Sequence, residues 1–382
     1  MNKSLYKKFV AGCNLSPLLF SLFINDLGNL LTATQLGLPL KEEIISCIFF
    51  ADDLVIISKN EKSLDTLLDI TRTYFKQHRL CISETKSKIL SYNATTEEIQ
   101  FRGTQSSSIT LQQIISFKYL GIPINSKPYC LFKDFNEQAK RRAKQYMASI
   151  LSLVKSGPDR VDLAYTIWTS CAIPAILYGA EVIPLTQGTI NEIEACQSKV
   201  GKFILQTPKN SADVTVNIDA GLKPVWSIIA EKVLLYAART LKREASFWPR
   251  MAIAMSLDIG YSSPYTRNLL KWKEKVNTNL LSITHIKGAC NRAAIQSVLR
   301  DKDDHPSTFA MNPPGSTSSN RWFRRKSWIS DSCLSKVICL FRSCNANLGN
   351  RGPTKDGRFY KFCPLCLPNG VEVANNEVIE IN

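Results

Sequence analysis

The spacing of apolar residues changes several times along the 382-residue chain, and each change marks an element. Leu19, Phe23, Leu27 and Leu30 recur at three- and four-residue intervals, which predicts a helix with one buried face. Ser16-Pro17 starts it, with Ser as N-cap and Pro at the first helical position. Residues 44–50 and 54–57 are rich in β-branched and aromatic side chains and predict two buried strands, with Ala51, Asp52 and Asp53 at or near their turn. Asn60 then caps a helix whose apolar face is Leu64, Leu67, Leu68, Thr71, Phe75 and His78. A strand ending near Ser83, a turn at Lys86-Ser87-Lys88, a strand over 89–92 and a strand over 117–124 broken by Gly121 come next. From Phe132 the period becomes helical. Phe132, Phe135, Ala139, Ala143, Tyr146, Ile150 and Leu153 share one face of a long helix that Ser156-Gly157-Pro158 ends. Further helices are predicted at 159–178, 189–206, 226–247, 267–281 and 289–300, followed by a polar linker or loop over 301–320. The fold class read from this is α+β.

Composition narrows the picture. A hydrophobic share of 45% supports packed cores and excludes wholesale disorder. Net charge is +16, from 48 Lys and Arg against 32 Asp and Glu, which favours a polyanionic partner over an acidic small molecule; a generally basic protein would show the same excess. The 12 cysteines lack the even spacing of a secreted disulfide scaffold and read as reduced and mostly buried. The start Met1-Asn2-Lys3-Ser4 shows no signal-peptide pattern. Residues 164–180 are nearly uncharged, but Thr, Ser, Pro174 and Gly179 within them predict a buried, bent helix and no membrane span.

Several side chains carry candidate chemistry. Asp52 and Asp53 at the tip of a rigid hairpin offer hard oxygen ligands to Mg²⁺, which takes one or two protein carboxylates beside substrate phosphates. Asp-Asp is also simply a good turn. The loop Gly12–Asn14 precedes a helix start, where backbone amides can meet phosphate or a base. Lys86 is either a positioned cation or a surface lysine. Lys140, Arg141 and Lys144 form a basic ridge suited to duplex phosphates, or a solvated charged face. Arg321, Arg324, Arg325 and Lys326 beside Trp322, Phe323 and Trp328 read equally as a nucleic-acid surface or as an amphipathic helix start. Cys363 and Cys366 form half a zinc site; no Cys or His follows them, and Cys339 and Cys344 sit in an apolar run that reads as core, so the Zn²⁺ site is incomplete.

Four blocks stand in order: Ala11-Gly12-Cys13-Asn14-Leu15-Ser16-Pro17, running on to Ile24-Asn25-Asp26; Phe49-Phe50-Ala51-Asp52-Asp53; Leu80 to Lys88; and Phe117-Lys118-Tyr119-Leu120-Gly121. Together they resemble the later palm motifs of reverse transcriptases, in particular those of non-LTR retrotransposons. The resemblance implies a partial polymerase palm over 1–128, a helical thumb over 129–248 carrying Ala172 to Glu181, and a helical C-terminal region over 249–382. It implies that Gly12, Asn14, Ser16 and Pro17 contact nucleotide and template, although Ala11 stands where the family usually has Gln. Asp52 then holds Mg²⁺ with Asp53 as its neighbour, Lys86 attends the triphosphate, and Tyr119, Leu120 and Gly121 grip the primer end. Asp26 belongs to the ordinary helix of the first block and is solvated. The implied partners are an RNA template, a DNA primer and dNTPs, in an intracellular and nuclear setting. A palm needs a further carboxylate strand and fingers before Gly12, so the resemblance leads to the expectation of a fragment that is inactive alone. A nucleic-acid-binding module without chemistry and a decayed element product are the competing readings.

Overall fold

The computed structural model describes residues 15–92, 100–102, 110–154, 160–205, 207, 209, 211, 213–258, 263–278 and 282–304. In chain order the elements are α1 (Ser16–Ala33), β1 (Leu38–Leu40), β2 (Glu43–Ile45), β3 (Cys47–Phe50), β4 (Asp53–Ile56), α2 (Glu61–His78) and β5 (Lys88–Ile89). Next come β6 (Gln100–Arg102), β7 (Thr110–Gln113), β8 (Ser116–Tyr119), β9 (Ile122–Asn125), α3 (Pro128–Leu153) and α4 (Arg160–Thr166). A π-helical stretch (Ile167–Ala172) leads to α5 (Ile173–Ile176), α6 (Gln187–Leu205), α7 (Asp213–Asp219), α8 (Val225–Leu241), α9 (Trp248–Asp258), α10 (Pro264–Val276) and α11 (Ile283–Asp304). The chain is thus mixed helix and strand, and it forms two units, 1–131 with 240–261 and 132–239 with 262–382.

In the first unit, α1 and α2 pack under the β3–β4 hairpin. Leu27, Leu31 and Leu67 are wholly buried there, with Phe49, Leu54 and Ile56 of the hairpin against them. Tyr74 adds a polar tie, its hydroxyl donating to the Phe23 carbonyl at 3.0 Å. Gly28 lets the sheet approach α1 closely, since a Cβ there would already touch the Phe49 ring at 3.4 Å. Gly37 is stricter. A Cβ at that position would lie 2.1 Å from the Ile45 carbonyl oxygen, so only glycine lets the turn after α1 pass β2.

Helix ends follow local chemistry. The Asn60 side chain accepts from the Ser63 amide at 2.9 Å to cap α2, Glu61 opens it, Lys76 and His78 close it, and Arg79 turns left-handed at φ 57°. His78 is packed, its ring stacked on Tyr74 at 3.9 Å and edge-on to Phe23 at 5.4 Å.

Several expectations are corrected. Leu15, with no capping side chain, is the N-cap of α1, and Ser16 is already helical. The buried face of α1 runs through Ile24, Leu27 and Leu31; Leu30 is exposed, as are Leu15, Leu18 and Leu22. A helix apolar on nearly all sides gives periodicity no single face to choose. The strand expected over 44–50 splits at the buried Ser46 into β2 and β3, and Ile48 and Phe50 of β3 are exposed. Residues 80–83 carry no strand. Residues 117–124 are two antiparallel strands joined at Leu120-Gly121. The described strands form four small sheets, β1–β2, β3–β4, β5–β7–β6 and β8–β9, and β5 runs parallel to β7. Among the described cysteines, Cys47, Cys196 and Cys290 are buried, whereas Cys81 and Cys171 are exposed.

In the second unit, buried polar side chains tie helices to one another. The wholly buried Trp168 donates its indole N–H to Gln197 Oε1 at 3.1 Å, and Gln197 Nε2 donates to the Lys223 carbonyl at 2.9 Å. Asn136 of α3 accepts from the Thr186 amide at 2.8 Å and donates to the Pro184 carbonyl at 3.3 Å. Arg142 donates to the Ala175 carbonyl at 3.0 Å, beside the end of α5. The π-helical turns precede Pro174, which has no N–H for an α-helical bond. The Ile173 amide instead donates to the Trp168 carbonyl. Helix α8 stops at Leu241, short of the expected 247, and Leu153 at the end of α3 is exposed. Among the described residues no helix is long and apolar enough to cross a membrane.

The Gln197 bridge gives a test. Gln197→Leu keeps the volume but orphans the Trp168 N–H and the Lys223 carbonyl, so denaturant unfolding is expected to show a loss of about 2 kcal/mol.

Candidate functional site

The acidic hairpin is built by register. Cys47 pairs with Ile56, Ile48 with Val55, Phe49 with Leu54 and Phe50 with Asp53, which leaves Ala51 and Asp52 as the two turn residues. Strand residues alternate faces. Since Phe49 and Leu54 face the core, Phe50 and Asp53 lie on the opposite, outer face. Asp52 and Asp53 are both exposed. Ala51 has φ 52°, a left-handed conformation that costs an L-residue with a Cβ roughly 1 kcal/mol.

A second hairpin lies within reach of the Asp53 charge. Tyr119 pairs with Ile122 across a turn in which both Leu120, φ 47°, and Gly121, φ 81°, are left-handed, as a two-residue hairpin of right-handed twist requires. The Tyr119 phenol is pushed above its ordinary pKa, first by burial and then by the negative charge of Asp53. Its hydroxyl is buried and has no hydrogen-bond partner among the described residues. The structure therefore brings Asp53 and Tyr119 into one neighbourhood from two hairpins far apart in sequence.

Other sequence-predicted residues are distributed as follows. Gly12 and Asn14 lie outside the described residues, as do the Arg321–Trp328 segment and Cys363 and Cys366. Pro17 stands in the first turn of α1, next to Ser16. Lys86 is exposed on a turn where the Ser83 carbonyl accepts the amides of Lys86 at 3.2 Å and Ser87 at 2.9 Å. Lys88, by contrast, is engaged, donating to Gln112 Oε1 at 3.0 Å.

Lys140, Arg141 and Lys144 lie along α3 in the second unit, lining a shallow groove of about 380 Å³ with Glu137 and Gln145. The ridge is partly neutralised. Lys140 contacts Glu137 at 3.1 Å and Glu192 at 3.0 Å, and Lys144 contacts the other Glu192 oxygen at 3.0 Å. Hydrogen bonds to Glu192 and then Glu137 raise the Lys140 pKa, and those from Lys144 and then Lys140 lower that of Glu192. Glu192 sits on a different helix, and no spacing within α3 announces it.

Residues 2–124 match the family described as Reverse transcriptase (RNA-dependent DNA polymerase). That span is similar to a reverse transcriptase segment. It contains both hairpins and ends within β9. No curated protein matches the chain. Within the matched segment, the acidic turn is an exposed polar feature of a hairpin otherwise held by apolar packing.

Backbone strain at that turn is measurable. Ala51→Gly is expected to raise the thermal midpoint by relieving up to about 1 kcal/mol, whereas Ala51→Val is expected to lower it by more than about 1 kcal/mol.

Proposed function

We propose that this chain carries the acidic hairpin of a reverse transcriptase of the non-LTR retrotransposon type, with Asp52 as the ligand of a divalent metal ion and Asp53 beside it. The observation that carries the reading is the register of β3 and β4 inside a matched reverse transcriptase segment: it sets one carboxylate in the turn and the next on the outer face. Reverse transcriptases generally use divalent metal. The donor chemistry here fits one hydrated Mg²⁺, because the two exposed carboxylates are hard oxygen ligands with no salt-bridge partner among the described residues. Bound there, Mg²⁺ would supply charge neutralisation to the phosphates of an incoming nucleotide.

The chain's own residues would do the rest. Asp52 orients the cation, Lys86 offers an exposed ammonium to the triphosphate, and the Tyr119-Leu120-Gly121 turn holds the primer end near Asp53. RNA template and DNA primer are the partners that the family implies. Residues 129–248 serve as a thumb in this reading, with Arg141 and Lys144 exposed on the ridge and Lys140 and Lys144 bound to glutamates. Gly12, Asn14, Ser16 and Pro17 are assigned to nucleotide and template contact.

Among the described residues no group of three His, Cys, Asp or Glu comes together. In-line phosphoryl transfer clamps attacking and leaving oxygens between two ions, and one carboxylate pair is a small donor set for that. The 382-residue chain with primed RNA, Mg²⁺ and dNTPs is therefore expected to give no templated extension. Extension that Asp52→Ala abolishes would show that the chain completes the site and would overturn the proposed inactivity.

A second reading, a nucleic-acid-binding module without chemistry, is favoured by the net charge of +16. It predicts duplex affinity that falls steeply with salt and survives Asp52→Ala. Affinity indifferent to salt would remove it.

A further inference from the structure

A half-buried carboxylate that the polymerase reading does not use lies in the second unit. Glu194 projects from α6 to the start of α8, where its Oε1 accepts the backbone amides of Val225 at 2.5 Å and Trp226 at 3.3 Å. Helix α8 has no acidic residue in its own first turn, so Glu194 supplies from another helix the negative charge that a helix N-terminus favours. On the far side stands α10. Its Lys275 lies 4.0 Å from the centre of the Trp226 ring and 5.6 Å from that of Trp272, and those two indoles are stacked at 6.4 Å with planes 10° apart. Three helices thus meet through one acid, one amine and two indoles.

We propose that Glu194 is a proton-operated latch joining α6, α8 and α10. Ionised, it grips both amides of α8 and holds Lys275 across Trp226; on taking up one proton it loses its charge, the amide bonds weaken and Lys275 is released.

Among the described residues, Lys275 from α10 is the charged side chain acting on Glu194, and α8 contributes the two amides. Glu192 on the same helix is turned to Lys140 and Lys144. Lys271 acts on Lys275, and it lies 4.8 Å from the Trp272 ring. Burial raises the Glu194 pKa to about 7, against the lowering effect of the two amides and then of Lys275. Burial and then Lys271 lower the Lys275 pKa, and Glu194 raises it. The joint therefore changes state near neutral pH.

The sign of the stability effect is fixed by linkage. Folding raises the Glu194 pKa from its ordinary value of 4.5 to about 7, so the folded chain binds this proton more tightly than the unfolded chain. Its contribution is fully present below 4.5 and is lost as pH rises through about 7. Global stability thus falls between 4.5 and about 7 and levels off above it, where the joint is ionised.

The test follows the Val225 and Trp226 amide resonances of the full chain from pH 5 to 9, together with the thermal midpoint. Both amides are expected to titrate with one midpoint near 7, with the thermal midpoint falling up to that pH and levelling off above it. Glu194→Gln is expected to abolish the titration and flatten the thermal slope. Lys275→Met, which leaves the carboxylate in place, is expected to move the amide midpoint upward. Amides that do not move over this range, or that still titrate in Glu194→Gln, would overturn the latch; so would an unshifted midpoint in folded Lys275→Met.

Discussion

The acidic turn depends on apolar packing on the inner face of the β3–β4 hairpin. A two-stranded hairpin is marginal in water, and what holds this one is the burial of Phe49, Leu54 and Ile56 on Leu27, Leu31 and Leu67. That contact also fixes register. Sliding one strand by a residue would exchange its inner and outer faces, so burying Leu54 and keeping Asp53 in solvent are one constraint. The glycines serve the same contact: Gly28 admits the Phe49 ring to the helix, and Gly37 lets the chain turn back tightly into the strands.

The second unit is tied together differently. Its core is a set of helices, but the ties between them are polar side chains that reach across to backbone groups: Gln197 to Lys223, Asn136 to Thr186, Arg142 to Ala175 and Glu194 to Val225. Each satisfies a group that a helix end or turn leaves open, and its loss leaves that group without its partner. Such ties are directional, so they specify which helix meets which more sharply than leucines do.

Much of this was legible in the residues. Helices α1, α2 and α3 followed from period and the α2 cap followed from Asn60, whereas α7 and α9 were not expected. The acidic turn was placed correctly because two β-rich runs flank it. Misjudgements had local causes. α1 is apolar on nearly every side, so its inner face could not be told from its outer one. Phe117 to Ile124 reads as one strand because Leu120, an unlikely residue for a left-handed turn, stands where the chain reverses. The nearness of Tyr119 to Asp53 and the pairing of Glu192 with α3 are tertiary facts, set by contacts between residues more than forty positions apart that no local pattern encodes.

The π-helical stretch before Pro174 has a consequence for how the chain tolerates change. A wider turn takes up surplus backbone and rotates everything after it relative to an uninterrupted α-helix. Trp168, ahead of most of that rotation, and Ile173, Ile176 and Leu177, beyond it, nevertheless all point inward. The sequence on either side of Ile167–Ala172 is therefore written in two angular phases, and the loosened turn is the joint that reconciles them.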